Sequence, residues 1–285
     1  EGHPQDGSRS IYHNALRYEG DGLDISIIHN PKYDSQAMAA DVDRPLTDAD
    51  ETALAMRFIQ EHEKWTVIWK DEIDPDHLLP HLQGLTLAGR TDLDWGQDAD
   101  FMFEGAFQYL NETGDSHARG GGVAFALQTH VRKDLGSSWR GRLGYFHYSG
   151  DSASGGDLRA FRTPWGRWPK WSELYIYTLI GESTPGRVHV AAWENIAAPH
   201  LTFIRPLGSS WNLRLNVTYL LAPQTDWASR GLMTQAELKV DIVKGLKGHL
   251  LWEMLDPGSF HDGRGGLEPM TGAVHFLRWQ LQYEL

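Results

Sequence analysis

Apolar and polar residues alternate one by one through long stretches of the chain. In Trp211–Leu220, for example, the apolar residues Leu213, Leu215, Val217 and Tyr219 alternate with polar ones. Successive side chains of a β-strand point to opposite faces, so this period of two predicts strands with one apolar and one polar face. Similar runs occupy Asp100–Leu110, Gly122–Lys133, Arg140–Ser149 and Leu232–Val243.

The predicted strands are long. Each run covers about ten residues, which is the length of a tilted strand that crosses a bilayer, whereas most strands in globular proteins have about five or six. Counting every such run gives roughly 14 strands, an even number like that of bacterial outer-membrane barrels. The sequence therefore predicts an all-β fold, a transmembrane antiparallel up-and-down β-barrel, as one domain over residues 1–285.

The connections between these strands are of two kinds. Short turns are expected at Asp134–Ser138, Gly208–Ser210 and Lys244–Lys247. Long polar connections are expected at Pro31–Glu51, Gly150–Trp171, Ala222–Gly231 and Asp256–Met270. Short turns on one side and long loops on the other are typical of outer-membrane barrels.

Two stretches allow more than one interpretation. Thr47–Glu63 contains capping-box spacings that would open a short helix, but its alternating Leu54, Met56 and Phe58 favour a strand. The stretch Arg187–Leu207 is ambiguous, and the strand count could differ by about two.

Composition agrees with a barrel and narrows the function. There are 12 Trp, 10 Tyr and 10 Phe, many for so polar a chain, and 30 Gly supply turns.

A net charge of -12 argues against a nucleic-acid partner, and the lack of Cys excludes disulfides and thiolate metal sites. No apolar run reaches the roughly 20 residues of a spanning helix. Glu1–Ser10 has no apolar signal-peptide core, so we expect a mature or trimmed form.

The C-terminal residues are the most specific feature. Apolar Leu277, Trp279, Leu281, Tyr283 and Leu285 alternate with polar residues to the last position. This ending resembles the terminal strand that outer-membrane barrels present to the barrel-assembly machinery, although the usual last residue is Phe. The alternative interpretation is an ordinary half-buried last strand of a soluble β-protein.

Three short motifs resemble those of the alginate-export family of outer-membrane barrels. They are Tyr148–Asp151, where a strand runs into a long loop, Asp98–Gly105, with the sequence DADFMFEG, and Leu255–Phe260, with the sequence LDPGSF. The resemblance extends from about Arg9 to Leu285. It implies a barrel in the outer membrane of a Gram-negative bacterium and an electropositive path for a uronate polysaccharide.

The chain also departs from that family. Family members resemble a pore of eighteen strands that begins with an Arg-rich set, and this chain starts after those strands. We therefore expect a smaller barrel, a barrel whose first strands are absent, or a partner that covers the gap, because open strand edges cannot face lipid.

The polar phase of the strands predicts the lining of the lumen. Its basic residues are the candidate substrate-binding set, Arg57, Arg90, Arg132, Arg140, Arg142, Arg214, Lys239 and Arg278. The planar fork of Arg suits carboxylates, and a series of such cations would favour an anionic sugar. Acidic residues are interleaved with them, so the alternative is that the charges pair with each other and only fill a polar lumen.

The connection after Tyr148 holds Trp165, Trp168 and Trp171. These rings are expected either in the interfacial aromatic girdle, which is the interpretation we favour, or stacked on sugar rings.

His77 and His81 have a metal-ligand spacing, but Pro80 between them breaks a helix, so no metal is expected. No catalytic motif and no cofactor motif is present, so no enzyme is expected.

These observations favour a porin-like channel for diffusion or export of anionic sugars, polysaccharide or small solutes. A second hypothesis is a non-conducting structural barrel that acts as a partner in a larger envelope complex. A third is a soluble all-β carbohydrate-binding protein, which would stay monomeric without detergent.

Overall fold

In the computed structural model, the described residues are 9–11, 14–34, 50–73, 81–96, 98–114, 120–151, 159–161, 172–174, 195–262 and 269–283. They form the strands Arg9–Ile11 (β1), Asn14–Gly20 (β2), Leu23–Asp34 (β3), Asp50–Ile59 (β4), Glu63–Ile73 (β5), His81–Asp94 (β6), Ala99–Thr113 (β7), Gly120–Gly136 (β8), Trp139–Tyr148 (β9), Ile196–Leu207 (β10), Trp211–Ala222 (β11), Ala228–Val243 (β12), Leu246–Pro257 (β13) and Val274–Tyr283 (β14). A short 3-10 helix, Ser259–His261, follows β13.

The strands build one antiparallel sheet in sequence order. Each strand from β3 to β14 pairs with the next along the chain, and β1 and β2 both pair with β3. The sheet therefore has 13 strand positions, close to the roughly 14 that were predicted. Among the described strands, β14 pairs with β13 only. The predicted antiparallel up-and-down fold is confirmed.

The two ends of the sheet differ as predicted. Short turns, such as Ser137 and Ser138 between β8 and β9, define the short-turn end. The longest connections, which follow β3, β9 and β13, lie at the opposite, long-loop end. One expectation was wrong: β12 begins at Ala228, so the link from β11 is a short turn rather than the long connection Ala222–Gly231. The strand interpretation of Thr47–Glu63 is confirmed by β4.

The register places the apolar phase of the strands β2 to β14 on one face, here called the outer face. Partners opposite each other in a ladder share a face, as Leu85 of β6 and Tyr109 of β7 do. Trp211 and Tyr219 lie on this face of β11, about 26 Å apart along the strand, which matches an apolar band of about 25 Å. Large apolar side chains such as Phe107 remain 66 % exposed there. The outer face thus has the properties of a lipid-facing surface.

Among the described residues, no helix is long and apolar enough to cross a membrane.

The buried core lies on the opposite face, here called the inner face. Leu174, from the long connection after β9, is fully buried among wall residues of β9 to β13. The cluster consists of Phe146, Leu174, Ile196, Ala198, Leu220, Met233 and Leu255. Part of the long connection therefore folds back over the inner face instead of extending away from the sheet.

Candidate functional site

All eight predicted lumen residues lie on the inner face. Arg57 is opposite Asp24, Arg132 is opposite Arg142, and Arg214 is opposite Glu237. Arg90, Arg140, Lys239 and Arg278 share this face by the same pairings. Alternation along each strand was sufficient to identify the face, because a one-residue shift in phase would move every side chain to the other side.

Most of these cations lie beside carboxylates. Arg90 donates two 2.8 Å hydrogen bonds to Asp92, and Arg132 lies 2.6 Å from Asp100. The other contacts join Arg140 to Asp134 at 2.9 Å, Arg214 to Glu237 at 3.2 Å, Lys239 to Glu237 at 3.6 Å and Arg278 to Glu173 at 2.5 Å. The alternative in which charges pair along the wall therefore describes six of the eight residues.

Arg142 is different. In the described part of the chain it has no carboxylate within ion-pair distance, and it donates a long hydrogen bond of 3.4 Å to the Thr202 hydroxyl. Its Nε is buried and has no hydrogen-bond partner there. Gly144 lies two residues after Arg142 on the same face. The imidazoles of His130 and His200 lie on either side of it, each opposite Gly144 in its ladder. The arrangement leaves a half-buried positive charge on the inner wall that an anion can approach.

A chain of polar side chains continues from Thr202 across the next strands. Its hydroxyl donates to Asn216 at 2.8 Å. The Asn216 amide donates to Gln235 at 2.7 Å, and Gln235 donates to Glu253. These four residues lie on β10, β11, β12 and β13, so the row runs around the inner wall. Hydrogen bonding satisfies polar groups whose burial would otherwise be costly.

The row ends at Glu253, which is 1 % exposed and fixes the long connection to the wall. Its carboxylate accepts hydrogen bonds from the Leu174 backbone N–H at 2.5 Å and from the Ser172 hydroxyl at 3.2 Å. The adjacent Glu173 bonds Arg278. Since Glu253 and Leu174 are distant in sequence, no local pattern could have identified this contact. The segment 172–174 therefore lies against the inner wall.

The start of the same connection is held by the motif Tyr148–Asp151. The Ser149 hydroxyl accepts from the Phe125 N–H at 2.8 Å and donates to the Arg159 carbonyl at 2.6 Å. The Asp151 carboxylate accepts from the backbone N–H groups of Arg159 and Ala160 at 2.6 and 2.7 Å. The motif thus returns the chain toward the sheet directly after β9.

Gly150 lies within this motif and contacts the other end of the long connection. A Cβ at Gly150 would lie 2.3 Å from the Cβ of Asn195, so only glycine fits beside the residue where the connection re-enters the sheet. Asn195 in turn bonds Thr225 and the Gln224 N–H of the β11–β12 turn. Both ends of the long connection are therefore joined to each other and to neighbouring strands.

The remaining predicted features are partly outside the described residues. Trp165, Trp168 and Trp171 lie there, as do His77 and Arg187. His81 is described and bonds the Asp71 carboxylate at 2.6 Å. Among the described residues, no group of three or more His, Cys, Asp or Glu side chains is placed to hold a metal ion.

Taken together, the sheet topology, the apolar outer face and the polar inner face define the fold of outer-membrane β-barrel channels. No protein-family model matches the chain, and no curated protein matches it. Solved structures do match. OccK11 (OpdR) of Pseudomonas aeruginosa has a TM-score of 0.58 and 12 % identity, over 96 % of this chain and 70 % of that one.

Two further structures are similar. OprD of Pseudomonas aeruginosa has a TM-score of 0.54 and 11 % identity, over 97 % of this chain and 71 % of that one. A BenF-like porin of Pseudomonas fluorescens Pf-5 has a TM-score of 0.55 and 12 % identity, over 97 % of this chain and 68 % of that one. These proteins are outer-membrane channels of Gram-negative bacteria and not enzymes. The chain shares their fold and spans about two thirds of their length; none of the three is an alginate exporter.

Proposed function

We propose that this chain is a channel of the Gram-negative outer membrane through which small solutes diffuse, with a preference for anions. The observation that carries the proposal is the inner face, where Arg142 lacks a carboxylate partner among the described residues while neighbouring cations are paired. An arginine on a polar wall lowers the barrier for an anion and binds a carboxylate through two parallel hydrogen bonds.

The paired cations support the same proposal. Exposed ion pairs contribute only about 0–1 kcal/mol each, so a carboxylate passing along the wall can exchange with the protein's own carboxylates at little cost. Arg132 and Arg140 are 46 % and 50 % exposed in their pairs with Asp100 and Asp134. Such a wall binds anions briefly rather than tightly, which suits diffusion.

The finer proposal concerns the solute. We infer that it is an anionic sugar or a uronate polysaccharide, as the resemblance of Tyr148–Asp151 and the other two motifs to alginate exporters implies. The substrate-binding role of the eight cations belongs to this proposal, and so do the single domain over residues 1–285 and folding by the barrel-assembly machinery through β14.

The test is conductance in planar bilayers. Purified protein should form ion-conducting channels, and a salt gradient should give a reversal potential of the sign expected for anion preference. Uronate oligosaccharides should then reduce the current more than neutral oligosaccharides of equal length. If the protein conducts but uronates have no effect on the current, the proposal of an anionic-sugar solute is rejected and the proposal of a small-solute channel stands.

A second candidate function is a structural barrel that does not conduct. The observation in its favour is the segment 172–174, which packs Leu174 into a buried cluster on the inner face and bonds Glu253. Protein that inserts into bilayers and never conducts, although it is heat-modifiable on a gel as a folded barrel should be, would favour this alternative.

A further inference from the structure

A groove of about 390 Å³ lies on the outer face at the short-turn end, away from the inner wall that the transport proposal uses. The β8–β9 hairpin, β10 and β11 form it. Its lining consists of Leu135, Gly136, Ser137, Trp139, Phe203 and Leu215. The volume is within the usual range of small-molecule sites, about 300–1,000 Å³, and the lining is largely apolar.

Leu135 forms one wall of the groove and packs over Gly141. Gly141 is on the outer face, between Lys133 of β8 and Phe203 of β10 in the ladder. Gly141 is buried because the Leu135 side chain lies over it, and a Cβ there would lie 2.9 Å from Cδ1 of Leu135. Trp139 packs edge-on against Phe203, with ring centroids 6.4 Å apart. Aromatic and leucine side chains thus line the groove, and such an apolar surface favours an alkyl chain.

A cation lies at the edge of this groove. The Arg205 guanidinium lies over the Trp139 ring, 5.2 Å from its centroid. Arg205 is on the outer face, two residues before the end of β10, and no carboxylate in the described part of the chain is within ion-pair distance of it. Lys133 is a second, exposed cation on the same face. An arginine at the level of an interfacial tryptophan is placed to bind a lipid phosphate.

We propose that this groove binds one phospholipid of the periplasmic leaflet. An acyl chain lies in the groove between Leu135 and Phe203, and the phosphate is bound by Arg205 with Lys133 beside it. Short turns face the periplasm in barrels of this class, which puts the groove at the level of that leaflet's headgroups. The inference rests on the outer-membrane fold and not on conduction, so it stands or fails independently of the proposed transport.

The experiment is native mass spectrometry of the whole folded protein in detergent, after incubation with phosphatidylglycerol or with diacylglycerol of the same chains. The wild type should retain one phosphatidylglycerol and little diacylglycerol. Arg205→Gln should lower phosphatidylglycerol retention about fivefold, the effect of one interfacial cation. Leu135→Ser should lower it with no change of charge, because the groove loses one apolar wall and Leu135 is exposed enough for the variant to fold.

The matched control is Arg17→Gln, which removes a cation from the inner face at the same end of the sheet and should leave retention unchanged. Each variant is first shown to be folded by its heat-modifiable migration. Equal retention by the wild type, Arg205→Gln and Leu135→Ser would overturn the site. Retention of diacylglycerol equal to that of phosphatidylglycerol would overturn the phosphate contact, and with it the proposal.

Discussion

Arg132 and Arg142 lie directly opposite each other in the β8–β9 ladder, yet in the described part of the chain only Arg132 has a carboxylate beside it, Asp100 at 2.6 Å. Like charges in opposite positions repel, and the Asp100 carboxylate reduces that repulsion. Arg142 remains half-buried, bonded only weakly to the Thr202 hydroxyl. The two arginines therefore contribute differently to the wall, although the sequence presents them as equivalent members of one set.

The first prediction follows from this difference. Arg142→Glu should change the anion-to-cation permeability ratio toward cations by about fivefold or more, since exchanging a positive for a negative charge at close range alters an ion's free energy by at least about 1 kcal/mol. The measurement is the reversal potential in a planar bilayer under a salt gradient. Changing Arg140 and Arg142 to Glu together should give a larger shift.

Arg140→Glu alone is the matched control. Arg140 is 50 % exposed and already lies beside Asp134, so its charge is screened by both solvent and a carboxylate. Its replacement should shift the ratio less than Arg142→Glu does. Unchanged selectivity in the double variant would remove the arginines from the proposed mechanism.

The second prediction concerns the contact between Glu253 and the segment 172–174. Glu253→Ala leaves the Leu174 N–H, the Ser172 hydroxyl and the Gln235 amide without the acceptor that they share, at a cost of about 1–3 kcal/mol for each buried group that stays unsatisfied. We expect the segment to leave the wall, so cleavage by added protease near it becomes faster and single-channel conductance rises.

Arg278→Gln is the control for that experiment. It breaks the contact with Glu173 on the same segment, but both side chains are about one-third exposed, and such pairs contribute about 1 kcal/mol or less. The change in conductance and cleavage should therefore be small. If Arg278→Gln releases the segment as readily as Glu253→Ala, the buried carboxylate is not what holds it.

Features that repeat with a fixed period could be predicted from the sequence alone. Alternation along the strands predicted their faces and the inner position of all eight cations, from Arg57 on β4 to Arg278 on β14. The start of β12 was missed because Ser229, Arg230 and Gly231 interrupt the alternation. At this point the ladder has a bulge, and Arg230 is buried against the Phe260 ring rather than in a loop.

Long-range contacts could not be predicted in the same way. Pairing Arg132 with Asp100, or Arg214 with Glu237, needs the exact register of neighbouring strands, which alternation does not provide. The bond from Leu174 to Glu253 needs the path of a long connection. The sequence therefore identified which residues line the wall, and the structure was needed to distinguish paired cations from Arg142.

The third prediction concerns the β8–β9 turn. Ser137 and Ser138 have φ values of 49° and 64°, the left-handed region that both central positions of a type I′ turn require. Serine is strained there by roughly 1 kcal/mol relative to glycine, and Asn-Gly is the favoured pair. Ser137→Asn combined with Ser138→Gly should raise the temperature at which the heat-modifiable band is lost.

Ser209→Gly in the β10–β11 turn is the comparison. Ser209 does not have a positive φ, so glycine there only increases the freedom of the unfolded chain, and stability should stay level or fall. A gain from Ser209→Gly as large as that from the β8–β9 pair would show that strain in the left-handed region is not the cause.

The last prediction concerns acid and the packing of the 3-10 helix Ser259–His261. Burial lowers the pKa of His261 from its ordinary value to about 4, and the nearby positive charge of Arg230 lowers the pKa in the same direction. Docked His261 is therefore neutral, while an undocked His261 would bind a proton near pH 6.5. Docking should be fully stable above about pH 6.5 and should weaken as the pH falls toward 4, by at most on the order of 3 kcal/mol.

Amide hydrogen exchange at Met270, whose N–H bonds the His261 carbonyl at 3.2 Å, reports on that docking once the intrinsic pH dependence of exchange is removed. Protection should decrease between pH 6.5 and 4 in the wild type. His261→Phe keeps a ring of similar shape against Phe260 and Arg230 but cannot titrate, so its protection should stay constant over that range. Because Asp262 and the wall residues are unchanged in this variant, an equal loss of protection in His261→Phe would assign the acid effect to another group.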